Sequence, residues 1–131
     1  MFARVRPLSS IYPIATVRPD GISIRLVKPY LGEPDEKREE FSFNFDKAFA
    51  PTASQEEVFA EVSEFIQSAL DGYSSCVFCY GPSASGKTFS LRGINVDESK
   101  GIFPRAMQLM KEQCQVYEDK GWEYSFEVRF N

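Results

Sequence analysis

Histidine is absent from the 131 residues. Its absence removes the side chain best suited to proton transfer near neutral pH and to metal ligation. Any catalysis must then rely on water positioned by carboxylates, serines or a metal ion. Cysteine is scarce as well. Cys76, Cys79 and Cys114 are too few, and odd in number, for a disulfide framework. Cys76 and Cys79 form a Cys-x-x-Cys, but they fall in an apolar run of strand character, where positions i and i+3 point to opposite faces. Two thiols so placed neither share a metal nor close a bridge, and both are expected to be buried as small apolar groups.

Long hydrophobic runs are missing too. The longest, residues 76–80, is strand-sized and far below the roughly 18 residues that a membrane span requires. The first seven residues hold no apolar core of the kind a secretory signal needs, so a cytoplasmic protein without a membrane partner is expected. Basic charge is in deficit: 15 Lys and Arg stand against 19 Asp and Glu, a net charge of −4. Nucleic-acid surfaces need clustered Lys and Arg, and nucleic acid is excluded as a partner of these residues.

What is present alternates between strand and helix patterns. Residues 2–6 read as a short strand stopped by Pro7. Pro19, Asp20 and Gly21 form a turn, because proline presets φ and glycine accepts positive φ. The alternating residues 22–26 follow it, giving a small hairpin. Residues 33–40 are a charged, solvated loop. Phe41, Phe43 and Phe45 alternate with Ser42 and Asn44, the pattern of a half-buried strand. Ser54 to Glu57 fits a capping box, and Val58, Phe59, Val62, Phe65, Ile66, Ala69 and Leu70 continue at helical spacing until Asp71 and Gly72. Residues 75–80 read as a strand covered on both faces, 81–86 as a loop, and 87–91 as the start of a helix. Pro104 suits the first turn of a further helix, with Ala106, Leu109, Met110 and Tyr117 on its apolar stripe. Tyr124, Phe126, Val128 and Phe130 alternate as a closing strand. This interleaving is the α/β pattern, in one domain or a piece of one.

Gly81, Pro82, Ser83, Ala84, Ser85, Gly86, Lys87 and Thr88 match G-x-x-x-x-G-K-[ST], the phosphate-binding P-loop. Each residue type has a physical reason. Glycines let a tight loop bring its N–H groups close to phosphate oxygens. Lys87 places positive charge on the terminal phosphates, and the Thr88 hydroxyl joins a magnesium shell. The loop runs into a helix start, whose dipole favours anions. An apolar segment before and a helix after are the context in which the motif is meaningful. If the fourth position needs positive φ, Ala84 costs about 1–2 kcal/mol that glycine would not. Pro82 removes one backbone donor.

These motifs resemble those of kinesin motor domains, and the resemblance covers residues 2–130. Arg4, Val5, Arg6 and Pro7 resemble the family's Arg-x-Arg-Pro strand. Residues 41–49 resemble its Phe-Asp-x-Val-Phe segment, and Phe78 to Gly81 its Phe-Ala-Tyr-Gly. Gly101 to Ala106 is similar to Gly-Ile-Ile-Pro-Arg-Ala. Residues 67–73 and 121–124 look most like the C-terminal-motor, kinesin-14 subgroup. The family usually carries glutamine and glycine where Pro82 and Ala84 stand. The resemblance implies that Arg4, Arg6 and Pro7 flank an adenine with Phe89 on its other side.

It also implies a P-loop NTPase fold, a mixed sheet flanked by helices, with ATP and magnesium as cofactors. The partner it implies is the microtubule, bound through parts of the domain beyond these residues, and the location is the cytoskeleton. The family's switch stretches, Asn-x-x-Ser-Ser-Arg-Ser-His and Asp-Leu-Ala-Gly, have no counterpart here. Residues 1–131 are therefore expected to be the incomplete N-terminal portion of a motor domain, with no residue in a catalytic role. Two other readings stand beside this one, a different P-loop kinase or NTPase and a non-catalytic interaction fragment with an unused P-loop.

Overall fold

A computed structural model describes residues 1–7, 15–27, 40–94, 96–127 and 129. The chain divides into two compact units, Met1–Ala53 and Ser54–Asn131. Among the described residues the order is five strands, then three helices with a short 3₁₀ turn before the last.

In the first unit, β1 (Phe2–Arg4) pairs in parallel with β5 (Lys47–Phe49). β2 (Ala15–Val17), β3 (Ser23–Val27) and β4 (Glu40–Asn44) form an antiparallel sheet in that order. The expected hairpin is present. Gly21 at its turn takes φ 69°, and Asp20 accepts hydrogen bonds from the Ile22 and Ser23 N–H groups, both at 2.9 Å. The two sheets are joined through backbone, since Phe45 N–H donates to Ile22 O and Ala48 N–H to Gly21 O. Ile24, Ala48 and Phe49 are buried, and the Phe2 and Phe49 rings meet edge to face at 6.3 Å.

One expectation for this unit needs correction. β4 forms, but Phe41 and Phe43 are 49% and 48% exposed instead of half-sequestered on a core face. β4 is the edge of a three-stranded sheet, and among the described residues this unit contains no helix to cover that face. Of the expected charged loop at 33–40, residues 33–39 lie outside the described residues and Glu40 is instead the first residue of β4.

The second unit is helical. α1 (Gln55–Leu70) begins with the full capping box: Ser54 Oγ accepts from Glu57 N–H at 3.0 Å, and Ser54 N–H donates to the Glu57 carboxylate at 2.7 Å. A cap of this kind contributes about 1 kcal/mol. Gly72, at φ 95°, follows its last turn. α2 (Lys87–Leu91) is a little over one turn long, and α3 (Ile102–Glu118) carries Pro104 in its first turn. α1 and α3 pack against each other and bury Val58, Val62, Ile102, Ala106 and Cys114.

Two expected strands are not found. Residues 75–80 adopt no strand and pair with no described strand, and Cys76 is exposed rather than buried. A strand exists only through a lateral ladder, so an apolar run without one stays irregular. The described residues of the expected closing strand, 124–127 and 129, are likewise irregular, and Arg129 forms a two-pronged ion pair with Glu127. Among the described residues the strands form two small sheets within the first unit, one parallel and one antiparallel, and with the helices of the second unit they are the mixed sheets and helices of an incomplete domain.

Candidate nucleotide phosphate site

The loop at 81–86 and the first residues of α2 form a distinct local structure. Gly86, at φ 104°, caps α2, and no side chain supplies a capping hydrogen bond. Leading N–H groups of a helix have no intrahelical acceptor, so such a start is suited to an anion rather than to a neighbouring side chain. Ser85 N–H donates to Pro82 O at 3.3 Å and closes the tight turn. The Lys87 ammonium reaches back over this turn and donates to Gly81 O at 2.9 Å and Pro82 O at 2.7 Å. Both ends of the loop are thus tied to one positive charge.

Gly81 takes φ 155°, and a side chain there would also crowd the Ser85 hydroxyl. A Cβ there would stand 2.7 Å from Ser85 Oγ. Ala84 takes φ 59°, the one left-handed non-glycine among the described residues, so the condition under which alanine carries a cost at this position is met. Pro82, Ser83, Ala84 and Thr88 are exposed, with Gly81, Ser85, Gly86 and Lys87 half-buried. Phe89, one turn into α2, is 42% exposed.

The donor set fits a polyphosphate: one ammonium, one hydroxyl and a closely wound glycine-bearing backbone. For a magnesium ion the fit is narrower. Among the described residues no three His, Cys, Asp or Glu side chains come together to hold a metal, and Thr88 offers a single hydroxyl.

The residues expected to flank adenine divide between the units. Arg4 ends β1, and one of its guanidinium nitrogens donates to Ala53 O at 3.3 Å. Arg6 and Pro7 follow it and are exposed. These three belong to the first unit, whereas residues 81–89 belong to the second and are brought together there.

Three features escaped the sequence reading. Gln55, the first residue of α1, is buried and donates to Phe89 O at 2.7 Å and Ser99 O at 3.3 Å. Gly93 and Gly101 cross so closely that a Cβ on Gly93 would lie 2.0 Å from Ser99 O, and one on Gly101 would lie 2.6 Å from Leu91 O. Arg105 fastens the same segment, donating from Nε to Lys100 O at 2.9 Å and from Nη2 to Glu98 O at 3.3 Å. A signal for Gln55 was available: positions 55, 58 and 62 share one face of α1, so a polar residue occupies a core position and must find partners.

The tight turn at 81–86 thus leads directly into α2. The kinesin motor domain model matches residues 22–131, and the chain belongs to that family. It is 38% identical to carboxy-terminal kinesin 2 of Xenopus laevis over 99% of its length, covering 22% of that protein. It is 48% identical to kinesin-like protein KIN-14M of Arabidopsis thaliana over 66% of its length, covering 12% of that relative. Protein claret segregational of Drosophila melanogaster is 46% identical over 67% of the chain and is 12% covered. Relatives of the kinesin-14 type thus recur, and the chain spans about a fifth or less of their length.

Proposed function

We propose that this chain supplies the ATP-phosphate-binding part of a kinesin-type motor, the complete domain being the agent of ATP-driven movement along microtubules. The observation that carries the reading is the loop at 81–88, in which the Lys87 ammonium spans the carbonyls of Gly81 and Pro82. An ammonium held by two neutral acceptors exchanges them for a phosphate oxygen with a gain, because hydrogen bonds between charged groups are stronger than those to neutral ones. Lys87 holds the β- and γ-phosphates in this proposal, the backbone of Gly81 to Gly86 wraps the remaining oxygens, and Thr88 takes one position in the magnesium shell. A magnesium ion bound there would neutralise charge on the phosphates, and Thr88 is the residue of this chain that would hold it. Arg4, Arg6, Pro7 and Phe89 are assigned to adenine on the family resemblance.

Binding without turnover follows from the same parts. Phosphoryl transfer depends on positioning and on stabilising charge, and a loop with one lysine and one threonine does neither for an attacking water. The test is the affinity of the full chain for Mg·ATP by calorimetry, compared with Lys87→Ala. The variant is expected to bind at least about tenfold more weakly, the loss of one charged hydrogen bond of about 1.5–3 kcal/mol. Equal affinity in the two proteins would remove Lys87, and with it this reading of the loop.

A further inference from the structure

We infer that Gln55 is a positioning residue for the phosphate loop, acting through the far end of α2 without touching nucleotide; the inference rests on the phosphate-site reading above. α2 has five residues. A helix of that length is not stable by itself, so the direction in which it presents Lys87 has to be fixed from outside. Its N-terminal end is the proposed ligand side and carries no side-chain cap. The fixing must come from the other end, where the Thr88 and Phe89 carbonyls accept from the Arg92 and Gly93 N–H groups but nothing in that turn ties them to a neighbouring element.

Gln55 meets that need. Its side-chain nitrogen donates to Phe89 O at 2.7 Å, two residues beyond Lys87, and to Ser99 O at 3.3 Å in the following segment. The amide is buried, so water does not compete for these carbonyls. Gly93 N–H also donates to Phe89 O at 2.9 Å, and Gly101 N–H donates to Arg92 O at 3.1 Å. The Gly93–Gly101 crossing leaves no room for a side chain on either. The end of α2 is therefore clamped between the start of α1 and the segment leading into α3, and Gln55 is the side chain that bridges all three. Loss of its donors leaves the Phe89 carbonyl held by backbone N–H groups of its own segment alone and unties it from α1, which frees α2 to pivot and shifts the Lys87 ammonium relative to the loop.

The experiment uses the full chain and two variants. Gln55→Glu keeps the shape but offers the carbonyls no ionised-state donor, and Gln55→Met keeps only the bulk. Hydrogen exchange of the ligand-free proteins is read over residues 87–101 and, as an internal reference, over 60–70 of α1. Mg·ATP affinity is measured in parallel. Both variants are expected to exchange at least about fivefold faster at 87–101 with 60–70 unchanged, and to bind Mg·ATP about fivefold more weakly, the effect of one hydrogen bond. Unchanged exchange at 87–101, or an equal rise in both segments, overturns the inference, because Gln55 would then be idle or merely structural. Failure of the unaltered chain to bind Mg·ATP overturns the phosphate-site reading instead, and the exchange arm still decides whether Gln55 holds α2.

Discussion

At Ala84 the backbone sits at φ 59°, a conformation that costs a residue with a Cβ about 1–2 kcal/mol. Glycine removes that cost but gives the unfolded chain about 0.4–1 kcal/mol of extra entropy. Ala84→Gly is accordingly expected to raise stability by about 0.5 kcal/mol and to leave the loop better shaped for phosphate. Urea unfolding monitored by circular dichroism checks the sign, and a lower midpoint for the glycine variant would contradict it. Asp20 makes a pH-dependent contribution of the opposite kind, from a favourable contact. The Ser23 hydroxyl at 2.6 Å, then the Ile22 and Ser23 N–H groups, hold its carboxyl below the usual aspartate range. A depressed carboxyl stabilises the fold fully above its unfolded value of about 3.9 and ceases to do so as pH falls through the lower folded value. Amide protection at Ile22 and Ser23, followed by NMR from pH 6 downward, is expected to decline only below about pH 4. A decline centred near neutral pH would exclude Asp20 as the cause.

At the scale of elements, the segment 75–80 stands apart from its surroundings. Phe78 is 79% exposed and Tyr80 94% exposed, within a run of high β-propensity that pairs with no described strand. Such a run is a template for edge-to-edge association. Phe78→Lys places a charge on it at a position where no native packing is lost. The variant is expected to scatter less light than the unaltered chain at equal concentration, with the same helical circular dichroism. A loss of helical signal would mean instead that Phe78 is packed in the folded protein. By contrast, α1 carries its own start and stop, the Ser54–Glu57 capping box and Gly72, and buries Val58 and Val62.

For the whole molecule the prediction concerns turnover and filament binding. The 131 residues contain neither an Asn-x-x-Ser-Ser-Arg-Ser-His stretch nor an Asp-Leu-Ala-Gly stretch, and their net charge is −4. Added microtubules are therefore expected to stimulate no ATP hydrolysis, and the chain is expected to stay in the supernatant when they are pelleted, since like-charged surfaces do not steer association. A turnover of even about one per second, within the ordinary enzyme range, would show that the P-loop residues suffice. Salt-sensitive pelleting would locate a filament-binding surface within these residues.

Much of this protein was settled by local sequence, because the relevant interactions span only a few residues. The hairpin turn at Asp20 and Gly21, the cap at Ser54, the first-turn Pro104 and the left-handed Ala84 each depend on neighbours within about four positions. The G-x-x-x-x-G-K-[ST] pattern was legible for the same reason, since it spans eight consecutive residues. Where the sequence misled, the missing information was lateral. An apolar run such as 75–80 states that it avoids water but not which strand lies beside it, and alternation at Phe41 and Phe43 does not say whether anything covers the face they line. Only the tertiary structure decided that Gln55 reaches Phe89 O across 34 positions, and that Gly93 and Gly101 must be bare to cross. Contacts at that separation are fixed by how α1, α2 and α3 pack, and packing follows from all their side chains together rather than from any one segment.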